Sequence, residues 1–157
     1  MARTFKSSGT QFVTQRPASF QIPVVPVGIK TPLSLGGNSV STPFLMNTTI
    51  EDQIGDNLRN LILTNHGERL GIYDFGADLG SLLTESIAIS NMTQEVENRI
   101  KTAVQKYMPG IHIDGITPLA NPPRGKSLAS FDFIVTYSYV QAGINGRKIQ
   151  INLTVAG

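Results

Sequence analysis

Apolar side chains recur at helical spacing from Thr49 to roughly Leu63, where Ile50, Ile54, Leu58, Leu61 and Ile62 fall at i, i+4, i+8, i+11 and i+12. This is one stripe of an amphipathic helix, and all five positions are expected in the core. Thr48 as N-cap with Glu51 at N3 forms a capping box, in which each side chain satisfies an unpaired backbone N–H. Gly67 is placed to take the left-handed conformation that ends such a helix. A second helical period covers Thr93 to Met108. Val96, Ile100, Ala103, Val104 and Tyr107 make its apolar side, and Glu95, Glu97, Arg99, Lys101 and Lys106 its solvated side. Glu95–Arg99 and Glu97–Lys101 are i,i+4 pairs in the favourable orientation, worth ~0.3 kcal/mol each, and Pro109-Gly110 stops the helix. Between these two helices a short one is predicted, capped by Asp74 and carrying Phe75, Leu79, Leu82 and Leu83 on one side. Gly76 and Gly80 weaken it by about 1 kcal/mol each relative to Ala. Their spacing leaves a smooth face for the close approach of another backbone.

The period then changes to two. A short strand is predicted from Ile111 to Ile116, followed by a loop at Asn121–Gly125. Phe131, Phe133, Val135, Tyr137 and Tyr139 alternate with Asp132, Thr136 and Ser138, the pattern of a half-buried strand. After a turn at Gly143–Gly146, the last strand runs from Lys148 to Val155. It points Ile149, Ile151, Leu153 and Val155 inward and Gln150, Asn152 and Thr154 outward. Helices followed by strands give an α+β domain with helices packed on one face of a small antiparallel sheet. The last strand holds no proline and only Lys148 as a charge. At a sheet edge its free backbone groups would invite an added strand, which singles out Gln150 and Asn152 as contact positions.

Residues 1–45 follow neither period. Pro17, Pro23, Pro26, Pro32 and Pro43 interrupt any helix, and Gly36-Gly37-Asn38 signals a turn. Phe5, Phe12, Phe20, Ile22, Val24, Val25, Val27 and Leu33 nevertheless recur through the stretch. Such a composition predicts an extended arm that lies on another surface, either that of a partner or that of its own domain. The chain therefore divides into an arm, 1–45, and an α+β domain, 46–157.

Composition narrows the chemistry. The chain has 157 residues, enough for one domain with a sizeable core, and only 15% are charged. Its polar surface therefore rests on Ser, Thr, Asn and Gln. Thirteen basic residues against eleven acidic ones give a net charge of +2. The basic excess (Arg3, Lys6, Arg16, Lys30) is too sparse for a nucleic-acid footprint. Without cysteine there are no disulfides, thiolate metal sites or Cys nucleophiles, and His66 and His112 form no ligand pattern. No stretch reads as a membrane span. No cofactor and no metal are expected. Glycan hydrolysis would need two carboxylates facing across a cleft. Among the candidates, Glu51 and Asp74 are assigned to caps and Asp78 and Glu85 to exposed helix positions. Glu68 is expected to pair with Arg69, which would lower its pKa.

From Ile50 to Ile113 the chain resembles the baseplate wedge family of contractile-tailed phages, also labelled lysozyme-like and called sheath initiators. Related contractile injection systems contain a similar subunit. The residues carrying the resemblance are Leu63-Thr64-Asn65-His66-Gly67-Glu68-Arg69, Asp74-Phe75-Gly76-Ala77-Asp78-Leu79, Leu82-Leu83, and a third helix ending Tyr107-Met108-Pro109. The family commonly ends that helix with an acid, a proline and an arginine. Here Met108 and Gly110 flank Pro109, so a contact made by the acid and the arginine must use other residues. The resemblance implies a non-enzymatic structural subunit of the virion tail baseplate, assembled in the host cytoplasm. Its implied partners are other wedge proteins, the tail sheath protein and the tail tube, with Gly67, Glu68, Arg69, Asp74, Phe75, Gly76, Tyr107 and Pro109 as motif residues. The alternatives are a lysozyme-type glycan hydrolase and some other interaction module.

Overall fold

A computed structural model describes residues 25–36, 43–84, 89–119 and 130–154. In chain order the elements are β1 (Gly28–Ile29), β2 (Met46–Asn47), α1 (Ile50–Leu63), α2 (Leu79–Thr84), α3 (Ile89–Tyr107), β3 (His112–Leu119), β4 (Ser130–Tyr139) and β5 (Ile144–Thr154). The fold is α+β, with the helices on one face of an antiparallel sheet ordered β3-β4-β5.

Helix α1 starts one residue later than the capping box predicted. Thr49 is the N-cap, and its Oγ1 accepts the Asp52 N–H at 3.2 Å. Thr48 and Thr49 both have capping chemistry, and the core selects the register. Glu51, released from the cap, pairs with Arg147 at 2.8 Å. Leu58, Leu61 and Ile62 are buried as expected, but Ile50 is 59% exposed. The helix ends in an extended C-cap at Thr64, not at Gly67.

Helix α3 begins four residues before its predicted start and buries Val96, Ile100, Ala103 and Val104. Both i,i+4 pairs form, Glu95–Arg99 at 3.2 Å and Glu97–Lys101 at 2.6 Å. Against these helices the sheet presents Ile113 from β3, Phe133, Val135 and Tyr137 from β4, and Ile149, Ile151 and Leu153 from β5. Each fully buried side chain of this size contributes about 1.5–3 kcal/mol. The alternation read from the sequence holds along β4 and β5. Strand β3 runs through Pro118, which an edge strand tolerates because no neighbour needs the missing N–H. Gly143 (φ 69°) closes a 3-10 turn at Val140–Ala142, while Gly146 falls inside β5, which starts earlier than Lys148. The predicted loop at Asn121–Gly125, Glu85 and Val155 lie outside the described residues.

Strands β1 and β2 pair antiparallel through Gly28↔Asn47 and Ile29↔Met46. Buried Asn47 anchors this ladder to α1, its Nδ2 donating to Asp56 Oδ2 at 2.8 Å and Gln53 Oε1 at 3.2 Å. The Thr31 N–H donates to the same Asp56 oxygen at 2.9 Å. From Val27 to Thr31, then, the expected arm is bonded to β2 and α1 of its own domain. Phe5, Phe12, Phe20 and Ile22 lie outside the described residues.

Asp56 thus fastens the ladder through one carboxylate oxygen. Asp56→Ala is expected to cost about 1–3 kcal/mol, because it strands the Asn47 amide and the Thr31 N–H. Thermal denaturation will show the loss, and trypsin cleavage after exposed Lys30 will accelerate.

Candidate functional site

The motif residues cluster in the segment that leaves α1 and returns to it. The last carbonyls of a helix have no partner within it. Here the returning chain supplies them: the Ala77 N–H donates to Leu61 O at 3.2 Å and the Asp78 N–H to Thr64 O at 3.3 Å. So close a passage requires glycine at 76. Its φ is 112°, and an added Cβ would lie 2.1 Å from Thr64 O. The close backbone approach expected at Gly76 therefore occurs within this chain. At Gly80 the neighbour is the Asn65 side chain, which accepts the Gly80 N–H at 2.9 Å.

Glu68 is held by Asn65, not by Arg69. Its carboxylate accepts the Asn65 backbone N–H at 2.9 Å and the Asn65 Nδ2 at 2.8 Å. The backbone hydrogen bond first, then the side-chain amide, lowers its pKa against smaller opposing effects of desolvation and the Asp78 charge. Glu68 is therefore ionised at neutral pH and unsuited to act as a general acid. Arg69 instead lays its guanidinium 4.2 Å over the Phe75 ring, whose centroid is 4.9 Å from that of Tyr107. This stack joins the segment to the end of α3. Gly67 (φ 85°) donates its N–H to Tyr73 O at 2.7 Å and narrows the neck of the segment.

Asp74 does not cap a helix. It pairs with Lys106 of α3, and α2 starts only at Leu79. The residue at the head of α2 is Asp78, with φ 50°. Its carboxylate accepts from Ser81 Oγ at 3.0 Å and from the His66 N–H at 3.4 Å. Arg99 Nη1 donates to Asp78 O at 2.8 Å and to Ser81 Oγ at 2.6 Å, so Arg99 belongs to this junction and not to a solvated face. The sequence placed Asn65 and Asp78 in the motif, and Asp78 and Arg99 at exposed helix positions, but assigned none of the three to this junction. The available signal was Asp78 itself, a residue type favoured before a helix, standing directly ahead of apolar Leu79.

Glu68, Arg69, Phe75, Tyr107 and Pro109 line one groove of about 1340 Å³, floored by Ile50, Ile54 and Asn57 of α1. Asp74 and Gly76 line a smaller cleft of about 500 Å³ on the other side of Tyr107, with Asp78, Arg99 and Lys106. Gln150 and Asn152 are not part of either. They stand exposed on β5, which pairs with β4 and forms one edge of the sheet. Arg59 Nη2 lies 3.5 Å from Gln150 O, so that carbonyl turns away from β4 toward the free edge. By alternation Lys148 and Asn152 do the same.

Among the described residues, no group of His, Cys, Asp or Glu is placed to hold a metal ion, and no helix is long and apolar enough to cross a membrane. The described carboxylates near the turn are taken: Glu51 by Arg147, Glu68 by Asn65, Asp74 by Lys106 and Asp78 by Arg99.

No protein-family description matches the chain, and neither does any curated protein. Solved structures share its fold, two of them as follows. One is a chain of the anti-feeding prophage baseplate, 15% identical, with TM-score 0.56, covering 71% of this chain and 82% of that one. The other is a Geobacter sulfurreducens protein provisionally named a tail lysozyme, 19% identical, with TM-score 0.50, covering 71% and 94%. The fold implied by the resemblance to contractile-tail baseplate proteins is the fold found.

Two glycines separate steric necessity from backbone preference. Gly76→Ala should destabilise by more than about 2 kcal/mol, through both the positive φ and the clash with Thr64 O. Gly71→Ala should cost only about 1 kcal/mol, because its φ is 83° but nothing lies within 4 Å of the added Cβ. Urea denaturation will measure both.

Glu68 gives a pH signature. Its folded pKa lies below the ordinary 4.5, so its contribution is full above that value and is lost as the pH falls through the folded pKa. Glu68→Gln should lower the melting temperature near neutral pH and converge with the unmodified protein in acid.

Proposed function

We propose that this chain is a non-enzymatic structural subunit of a contractile-tail baseplate wedge, joining neighbouring wedge proteins and starting the tail sheath at the β5 edge. The observation that carries this reading is the edge itself. Strand β5 spans Ile144–Thr154, and among the described residues Arg59 makes one long contact with its exposed backbone. Proteins usually blunt such an edge with charge, proline or a bulge. Arg147, Lys148 and the irregular pairing near Tyr139 lie in the first half of β5; beyond them Gln150, Asn152 and Thr154 are uncharged, and leaving this second half open fits a function of strand addition. The fold shared with a baseplate chain supports the same reading.

A second surface suits the wedge contacts. Leu70 is 99% exposed and Tyr73 75%, at the apex of a segment braced by Gly67, Glu68 and Arg69. Such rigid, apolar projections lose little entropy on docking. The motif residues then act by shaping this apex and the groove beside it. The described carboxylates near the turn, each committed to a structural partner, support a role without catalysis.

Proline scanning tests the edge. Gln150→Pro removes an N–H directed at the free edge, and Ile151→Pro removes one directed at β4. The first variant is expected to fold and join the baseplate while sheath fails to polymerise on it. The second is expected to unfold the sheet, read by circular dichroism. Normal sheath on a folded, assembled Gln150→Pro baseplate would overturn the proposal.

A further inference from the structure

Two elements run together beside the free edge of the sheet. Helix α1 meets β5 at Glu51–Arg147, 2.8 Å apart, and again where Arg59 Nη2 lies 3.5 Å from Gln150 O. Helix and strand therefore advance in the same direction. Asp52, Arg59 and Leu63 fall within one strip of α1, because successive residues turn about 100°. Leu63 stands about 6 Å beyond Arg59 along the helix, and Asn152 about 7 Å beyond Gln150 along the strand, which brings the two level. A chain laid against the second half of β5 would thus have Arg59 and then Leu63, 43% exposed, above its helix-facing side. Lys148, exposed on β5, would flank its other side.

The charges along this edge are unbalanced. Among the described residues neither Arg59 nor Lys148 forms an ion pair with a carboxylate, whereas Arg147 is held by both Glu51 and Asp52. Asp56, one turn before Arg59, does not neutralise it, because its Oδ2 accepts from Asn47 and Thr31 instead. The opposite edge of the sheet has another character. Strand β3 carries a register shift between Ile113 and Gly115, Pro118, and the exposed acid Asp114.

We infer that the β5 edge selects an acidic strand of a partner protein, with carboxylates on two adjacent residues level with Gln150. Adjacent strand residues point to opposite faces, so one carboxylate reaches Arg59 on the helix side and the next reaches Lys148 on the other. An apolar residue two positions on from the first shares its face and covers Leu63. Moving the Arg59 guanidinium from Gln150 O to that carboxylate also frees the carbonyl to accept a backbone N–H from the incoming strand. Complementary charge of this kind fixes register and rejects wrong partners more than it adds affinity. A basic strand meets two cations at β5, and an acidic one meets Asp114 at β3, so the acidic strand has a single edge to join. The inference rests on the strand-addition reading of β5 and adds which strand is accepted.

Short blocked peptides of alternating Thr and Val, one with Glu-Glu at its centre and one with Lys-Lys, serve as probes. Titrated into the isolated full chain, the Glu-Glu peptide is expected to shift the Gln150 and Asn152 amide resonances. It should bind about tenfold more tightly than the Lys-Lys peptide, and high salt should shrink that preference. Arg59→Gln and Lys148→Gln should each reduce the preference and together abolish it, while Arg59→Lys retains it. Circular dichroism checks that each variant is folded, and Lys148→Gln, at an exposed position, carries the test if Arg59→Gln unfolds. Equal binding of the two peptides, or a preference that survives both changes, would overturn the inference and leave strand addition standing. No shift at Gln150 and Asn152 with either peptide would remove the strand-addition reading and the inference with it. Shifts of the same amides with protein concentration alone would give the edge to a second copy and overturn the inference.

Discussion

Two hydrogen bonds, from the Ala77 and Asp78 N–H groups to the Leu61 and Thr64 carbonyls, hold the architecture of the site together. They close a helix end that would otherwise carry unpaired carbonyls near the core. They also fix where the chain goes next, because α2 can start at Leu79 only once Asp78 is set. Through Asp78 the same closure reaches Arg99 and so α3. The Arg69–Phe75–Tyr107 stack is a second strut between the same elements, worth about 0.5–1 kcal/mol for the cation–π contact. Groove and apex are both consequences of this closure.

Much of the fold was legible because burial enforces periodicity. The apolar stripe of α1, the longer one of α3 and the alternation along β4 and β5 each follow from a single face meeting the core. The predicted Thr48 cap missed by one residue because two adjacent threonines satisfy the same local rule. Ile50 matched the stripe but remained exposed, since periodicity states which face a residue shares and not how far the sheet extends beneath it.

The site was less legible, for a different reason. Asp74 has the composition of a cap, but Lys106, distant in sequence, takes its charge. Glu68 was expected to have a lowered pKa and does, through Asn65 and not through Arg69. Neighbouring residues in a turn project apart, so adjacency in sequence is poor evidence of pairing. Arg99 and Asp78 looked like solvated helix charges because the contact between them exists only once α2 and α3 are packed.

The segment between α1 and α2 has a base locked by Gly76 and an apex that is free at Gly71, where no atom lies near the missing side chain. Its length is therefore constrained only at its feet. Residues added around Gly71 would lengthen the projection and carry Leu70 or its replacement further from the domain, with α1, α2 and the sheet unmoved. Reach toward a neighbour is in this sense an adjustable dimension of the molecule, separable from its stability, and a short peptide tag inserted there would mark the subunit's position in an assembled particle.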